Sequence, residues 1–179
     1  MIFVKCKKML YWEGYYHVFE PQCFKNSFDE TMVNFFVLPN AKVIEESKMI
    51  VSQYYNHNLN NKKHQLKEFK KELVKHFGAF TGNNNEPYTT FNTASNHYPE
   101  YRKCVQELIQ GLQPLSNLVN NYLQETHPVL YSKMEKLNLG PNVPKPFGAF
   151  PTIAINFNVI SQFHRDLRTT LCGVSTWVI

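Results

Sequence analysis

The stretch FPTIAINFNVISQFHRDLRTTLCGV, residues 150–174, decides how the rest of the chain is read. Ile153, Ile155, Phe157 and Val159 alternate with Ala154, Asn156 and Asn158, a period of two that belongs to a β-strand with chemically distinct faces. Asn156 and Asn158 therefore share one face. Isoleucine, valine, phenylalanine and threonine dominate here and charge is sparse, as strands favour. Further on stands Phe163-His164-Arg165-Asp166-Leu167. On an extended strand residues i and i+2 lie on the same side, so His164 and Asp166 aim together and Arg165 aims away. One imidazole and one carboxylate placed this way can supply two adjacent ligands to a divalent metal, and the 2-His-1-carboxylate triad leaves further positions open. The same H-x-D spacing also describes an ordinary hydrogen-bonded surface pair, so it acquires meaning from the residues around it.

With those neighbours, the 150–174 stretch resembles the start of the catalytic core of fungal-type iron(II)/2-oxoglutarate dioxygenases, which are distantly similar to the ten-eleven translocation and J-binding DNA-base oxygenases. In both, an Asn-bearing strand leads into HRD. The resemblance covers about the last thirty residues, and the preceding helical part only in general architecture. It implies an α+β fold in which N-terminal strands and helices lead into a double-stranded β-helix, or jelly-roll, core. It also implies iron(II) and 2-oxoglutarate as cofactors, His164 and Asp166 as the first two iron ligands, and Asn156 or Asn158 in the 2-oxoglutarate pocket. Such enzymes take a third ligand, a His, from a later strand, and grip the co-substrate carboxylate with a later basic residue. Here no His follows His164 and no Arg follows Arg168. The apolar run LCGVSTWVI closes the sequence without a polar tail. The expectation is a truncated dioxygenase-like protein, inactive alone, with a mainly helical region over 1–147 and the first strands of an incomplete jelly-roll core over 148–179. His17, His57, His64, His76, His97 and His127 all precede this core, and none is expected in a strand resembling the missing ligand segment.

The 179 residues, 43% of them hydrophobic and 15% aromatic, suffice for one ordinary domain with a core and exclude a disordered or collagen-like chain. No apolar run approaches the roughly 20 residues that span a bilayer, so no membrane partner is expected. Lys5, Lys7 and Lys8 interrupt the place where a secretory signal would be apolar. Cys6, Cys23, Cys104 and Cys172 form no C-x-x-C pair, which points to reduced thiols in an intracellular setting, cytoplasmic or nuclear.

The formal net charge of +5 is strongly local. In KKHQLKEFKKELVKHF, residues 62–77, six lysines face two glutamates, while Leu66, Phe69, Leu73 and Phe77 are spaced for one helical stripe. That spacing predicts a helix with a solvated lysine face. The alternative function is a non-catalytic module that binds a polyanion or protein through Lys63, Lys67, Lys70 and Lys71. Arg102, Arg165 and Arg168 are the only arginines, which tempers a nucleic-acid reading of the charge. The substrate of the dioxygenase reading is not specified by the residues, and charge and resemblance lean toward nucleic acid.

Elsewhere, aromatic segments over 11–19 and 34–40 predict short strands, and the spacing of Val43, Ile44, Ile50, Val51 and Tyr54 predicts a helix over 41–55 ended by the Asn-rich tract. Residues 78–97, with Gly82, three consecutive asparagines and Pro87, predict a loop. From Pro99, apolar residues recur at Tyr101, Val105, Leu108, Leu112, Leu115, Val119 and Tyr122, the core-facing stripe of a helix that Pro114 must kink or split. A further turn or two of helix is expected over 131–139, closed by Gly140 and Pro141.

Overall fold

The structure is a computed structural model that describes residues 3–5, 15–17, 20–60, 74–80, 86–94 and 98–157. It is a mixed α+β protein with four helices and small antiparallel sheets among those residues. The chain divides into two compact units, with the boundary between Pro39 and Asn40.

In the first unit, β1 (Phe3–Lys5) pairs with β2 (Tyr15–His17), and β3 (Gln22–Lys25) pairs with β4 (Thr31–Phe35), both antiparallel. The second hairpin closes through Asn26, whose side-chain oxygen accepts from the backbone N–H groups of Phe28 and Glu30. Asparagine suits this position because its short amide can replace the backbone bonds that a turn leaves open.

The second unit begins with α1 (Ala41–Asn60), whose first turn is capped by the Asn40 side chain accepting from the Val43 N–H. The helix runs through asparagines that the sequence suggested would end it. Next come β5 (Val74–Phe80) and β6 (Tyr88–Thr89), then α2 (Pro99–Gly111), α3 (Gln113–Thr126), α4 (Pro128–Glu135) and β7 (Thr152–Asn156). The split at Pro114 is present. Leu112 ends α2 and starts α3, and Pro114 occupies the first turn of α3, where its missing N–H leaves no bond unmade. Pro128 opens α4 in the same manner.

The expected helix over 62–77 is corrected at its C-terminal end, because Val74 to Phe77 belong to β5. The loop expected from Gly78 is corrected as well, since Gly78, Ala79 and Phe80 continue that strand and Tyr88 and Thr89 pair with it. The physical reason is an edge supplied from far along the chain. β7 pairs with β5 from Val74↔Asn156 to Gly78↔Thr152, and the resulting ladder satisfies backbone groups that a helix would otherwise satisfy locally. The sheet order is β6-β5-β7. Gly78, at φ 110, lies so close to Pro151 that a side chain there would overlap the Pro151 carbonyl oxygen.

Strand alternation then sorts the sheet. Lys75, Phe77 and Ala79 are buried, whereas His76 and Phe80 are exposed; Ile153 and Ile155 are partly buried, whereas Ala154 and Asn156 are exposed. The inner face joins a core formed by Tyr54 of α1, Tyr101, Cys104, Val105 and Leu108 of α2, Leu112, Phe147 and Phe157. Tyr54 sits at its centre, edge-on to Phe77 and stacked on Phe157. Each such aromatic pair adds about 0.5–1.5 kcal/mol beyond burial. A smaller cluster of Leu123, Met134 and Ala149 lies between α3, α4 and the turn before β7.

Candidate functional site: the open face of the β6-β5-β7 sheet

The turn that delivers β7 is held by one buried side chain. Asn120, on α3, accepts from the Ala149 N–H at 2.8 Å and donates to the Phe147 carbonyl at 3.1 Å. Its amide also donates to the Ser116 carbonyl one turn back. Gly148, at φ 65, presses against that amide, so a residue without a side chain is needed there. From this turn the chain enters β7, and the Thr152 hydroxyl donates to the Ala79 carbonyl across the ladder.

The face of the sheet away from the helical core carries the polar groups. Asn156 lies opposite Val74, and His76 lies opposite Ala154. Directly opposed residues share a face, and diagonal neighbours two positions apart lie roughly 7–8 Å from one another, so His76 and Asn156 are within one small ligand's reach of each other. Both are exposed, and neither side chain has a hydrogen-bond or ion-pair partner among the described residues. Along the same face, Phe80 and Tyr88 are directly opposed on β5 and β6 and meet edge to face at 5.9 Å. They remain 50% and 39% exposed. The buried face offers different chemistry. The Tyr54 and Tyr101 hydroxyls hydrogen-bond at 3.1 Å, and burial pushes both phenols above their ordinary range, so they are neutral structural groups.

Of the residues that sequence reasoning selected, Asn156 lies on this open face, as its alternation with Ile155 requires. Asn158, His164, Asp166, Lys63, Lys67, Lys70 and Lys71 lie outside the described residues. Among the described residues no group of three His, Cys, Asp or Glu side chains is placed to hold a metal ion. Lys75, expected on a solvated helix face, is instead 6% exposed on the helix-covered side of β5. His76, likewise expected on that helix, is instead brought beside Asn156 by the strand. VKHFGAF carries no clear polar–apolar alternation, because Lys75 takes an inward position and Phe80 an outward one, and the three- and four-residue spacing of Leu73 and Phe77 with their predecessors favours helix.

The fold and this face define a mixed α+β protein whose helices cover one side of a three-stranded sheet. No protein-family model, curated protein or solved structure matches the chain. Among the described residues no helix is long and apolar enough to cross a membrane.

Proposed function

We propose that residues 150–174 form the opening strands of a non-haem iron(II)/2-oxoglutarate dioxygenase core of the jelly-roll type, with His164 and Asp166 as two of its metal ligands. The observation that supports this reading is the character of β7. It is a genuine strand with an apolar face against the helices and Asn156 on the open face, and the chain runs from it toward H-x-D. An Asn-bearing strand in that position is the feature on which the family resemblance rests. Asn156 can donate and accept through its amide, which suits the carboxylate or keto oxygens of 2-oxoglutarate.

The donor chemistry of His164 and Asp166, one imidazole and one carboxylate, suits iron(II) in kind and supplies two of the three protein ligands. When bound, iron(II) with 2-oxoglutarate couples decarboxylation of the co-substrate to oxidation of a substrate C–H bond. The chain's own part is to hold Asn156 on a rigid strand, anchored through Asn120 and the Ala149 turn, and to cover the opposite face with apolar side chains that exclude water. Within these 179 residues no His follows His164.

The test has two arms. Iron(II)-dependent succinate release by the 179-residue chain is expected to be negligible, and robust turnover overturns the view that the ligand set is partial. Cobalt(II) titrated anaerobically is expected to give a weak absorption signature that His164→Ala and Asp166→Ala each abolish. A signature indifferent to both substitutions removes the metal assignment.

A further inference from the structure

We propose that the open face of the β6-β5-β7 sheet is a metal-independent platform for single-stranded nucleic acid, on which bases stack against Phe80 and Tyr88 and are met by His76 and Asn156. This goes beyond the iron reading: it shares Asn156 with the proposed 2-oxoglutarate pocket but uses neither proposed metal ligand and requires no metal.

Three observations carry the assignment. First, Phe80 and Tyr88 show ring surface to solvent, although the inward-facing Lys75, Phe77 and Ala79 of β5 are buried. Their edge-to-face contact fixes both rings, so a flat ligand stacking on either loses little side-chain freedom in the protein. Second, the next outward groups are polar and planar, and have no hydrogen-bond or ion-pair partner among the described residues. His76 lies four residues from Phe80, about 13 Å along the strand at roughly 3.3 Å per residue, and Asn156 lies diagonal to His76. A purely apolar protein partner would leave this imidazole and this amide unpaired, whereas base edges and sugar hydroxyls hydrogen-bond to both. Third, the charge is complementary to a polyanion. The chain carries a net +5, and the sequence concentrates five lysines against two glutamates over residues 62–73, the run that immediately precedes β5; Lys75, buried on the opposite face, adds nothing to it. Aromatic rings on a sheet and a cation excess nearby in the chain are the elements of sequence-tolerant single-strand binding, and the polar groups further along the same face can meet the strand's sugars and base edges.

Binding is measured by fluorescence anisotropy with a labelled oligothymidine in EDTA, which removes any contribution from bound metal and separates this result from the iron titration. Wild-type protein is expected to bind in a salt-sensitive manner, and to prefer the single strand over a duplex of the same length. Phe80→Leu with Tyr88→Leu is expected to weaken binding about tenfold or more while leaving the urea midpoint unchanged, since leucine retains apolar contact but cannot stack. Phe80→Trp supplies an independent reading: oligothymidine should quench the added indole emission while affinity is kept. Undiminished binding by the double leucine variant overturns the proposal. So does equal competition by duplex or by poly-glutamate, which would assign the face to charge alone or to an acidic protein. Should the leucine variant fold poorly, an unquenched indole at position 80 overturns it instead.

Discussion

Removing the Asn120 side chain tests how β7 is held beneath its open face. In Asn120→Ala, the Ala149 N–H loses its acceptor in a position that is completely buried. An orphaned buried donor costs about 1–3 kcal/mol. The Phe147 carbonyl loses one bond but keeps the Phe150 N–H at 3.2 Å, so that loss is about 1 kcal/mol. The sum is about 3 kcal/mol, which corresponds to a fall in melting temperature of about 10 °C for a unit of this size. Gly148→Ala provides a second arm. Its left-handed φ of 65 costs about 1 kcal/mol for a residue with a Cβ, and that Cβ would stand 2.6 Å from the Asn120 amide oxygen, displacing it from Ala149. The single substitution should therefore cost about 3 kcal/mol, but only about 1 kcal/mol in the Asn120→Ala background, where nothing remains to displace. The four helices among the described residues lie in the same unit as Asn120, so far-ultraviolet helical ellipticity during urea unfolding reports the relevant transition. Strict additivity of the two substitutions, or an Asn120→Ala cost below about 0.5 kcal/mol, would refute the anchoring role.

Other expectations follow from the same packing. Gly78→Ala should separate β5 from β7 and cost more than about 3 kcal/mol, read as lost exchange protection at the Ala79 N–H, which bonds the Pro151 carbonyl. The buried Tyr54 and Tyr101 phenols hold their protons above 10.0, whereas an unfolded chain releases them near that value, so stability should fall as pH rises beyond 10.0. Tyr54→Phe with Tyr101→Phe should flatten that alkaline decline, and an unchanged slope would contradict the burial of these hydroxyls. Lys145 donates to the Met134 and Glu135 carbonyls at 2.6 and 2.9 Å, closing the C-terminus of α4. Lys145→Met should therefore destabilise by about 1 kcal/mol and loosen the last turn of α4 in amide exchange.

Local chemistry made parts of this fold legible. Pro114 cannot sit inside a helix without cost, so the division into α2 and α3 follows from a covalent constraint; α4, expected over 131–139, instead spans Pro128–Glu135, because Pro128 fits a helix's first turn. The alternation of Ile153 and Ile155 with Ala154 and Asn156 similarly assigns β7 and places Asn156 on the face away from the core. Expectations failed where local signals were ambiguous. Phe77 satisfies a helical stripe and a strand face equally well, and the lysines before it favour helix.

The break at Pro114 and the two-faced character of β7 were legible in the residues alone, because they depend on the covalent constraint and periodicity of near neighbours. Only the tertiary structure decided that residues 74–80 are a strand, that Lys75 is buried while His76 stands beside Asn156, and that Asn120 anchors the turn before β7. A strand completes its hydrogen bonds on an edge supplied from elsewhere in the chain, so its identity rests on a partner that no window of neighbouring residues contains.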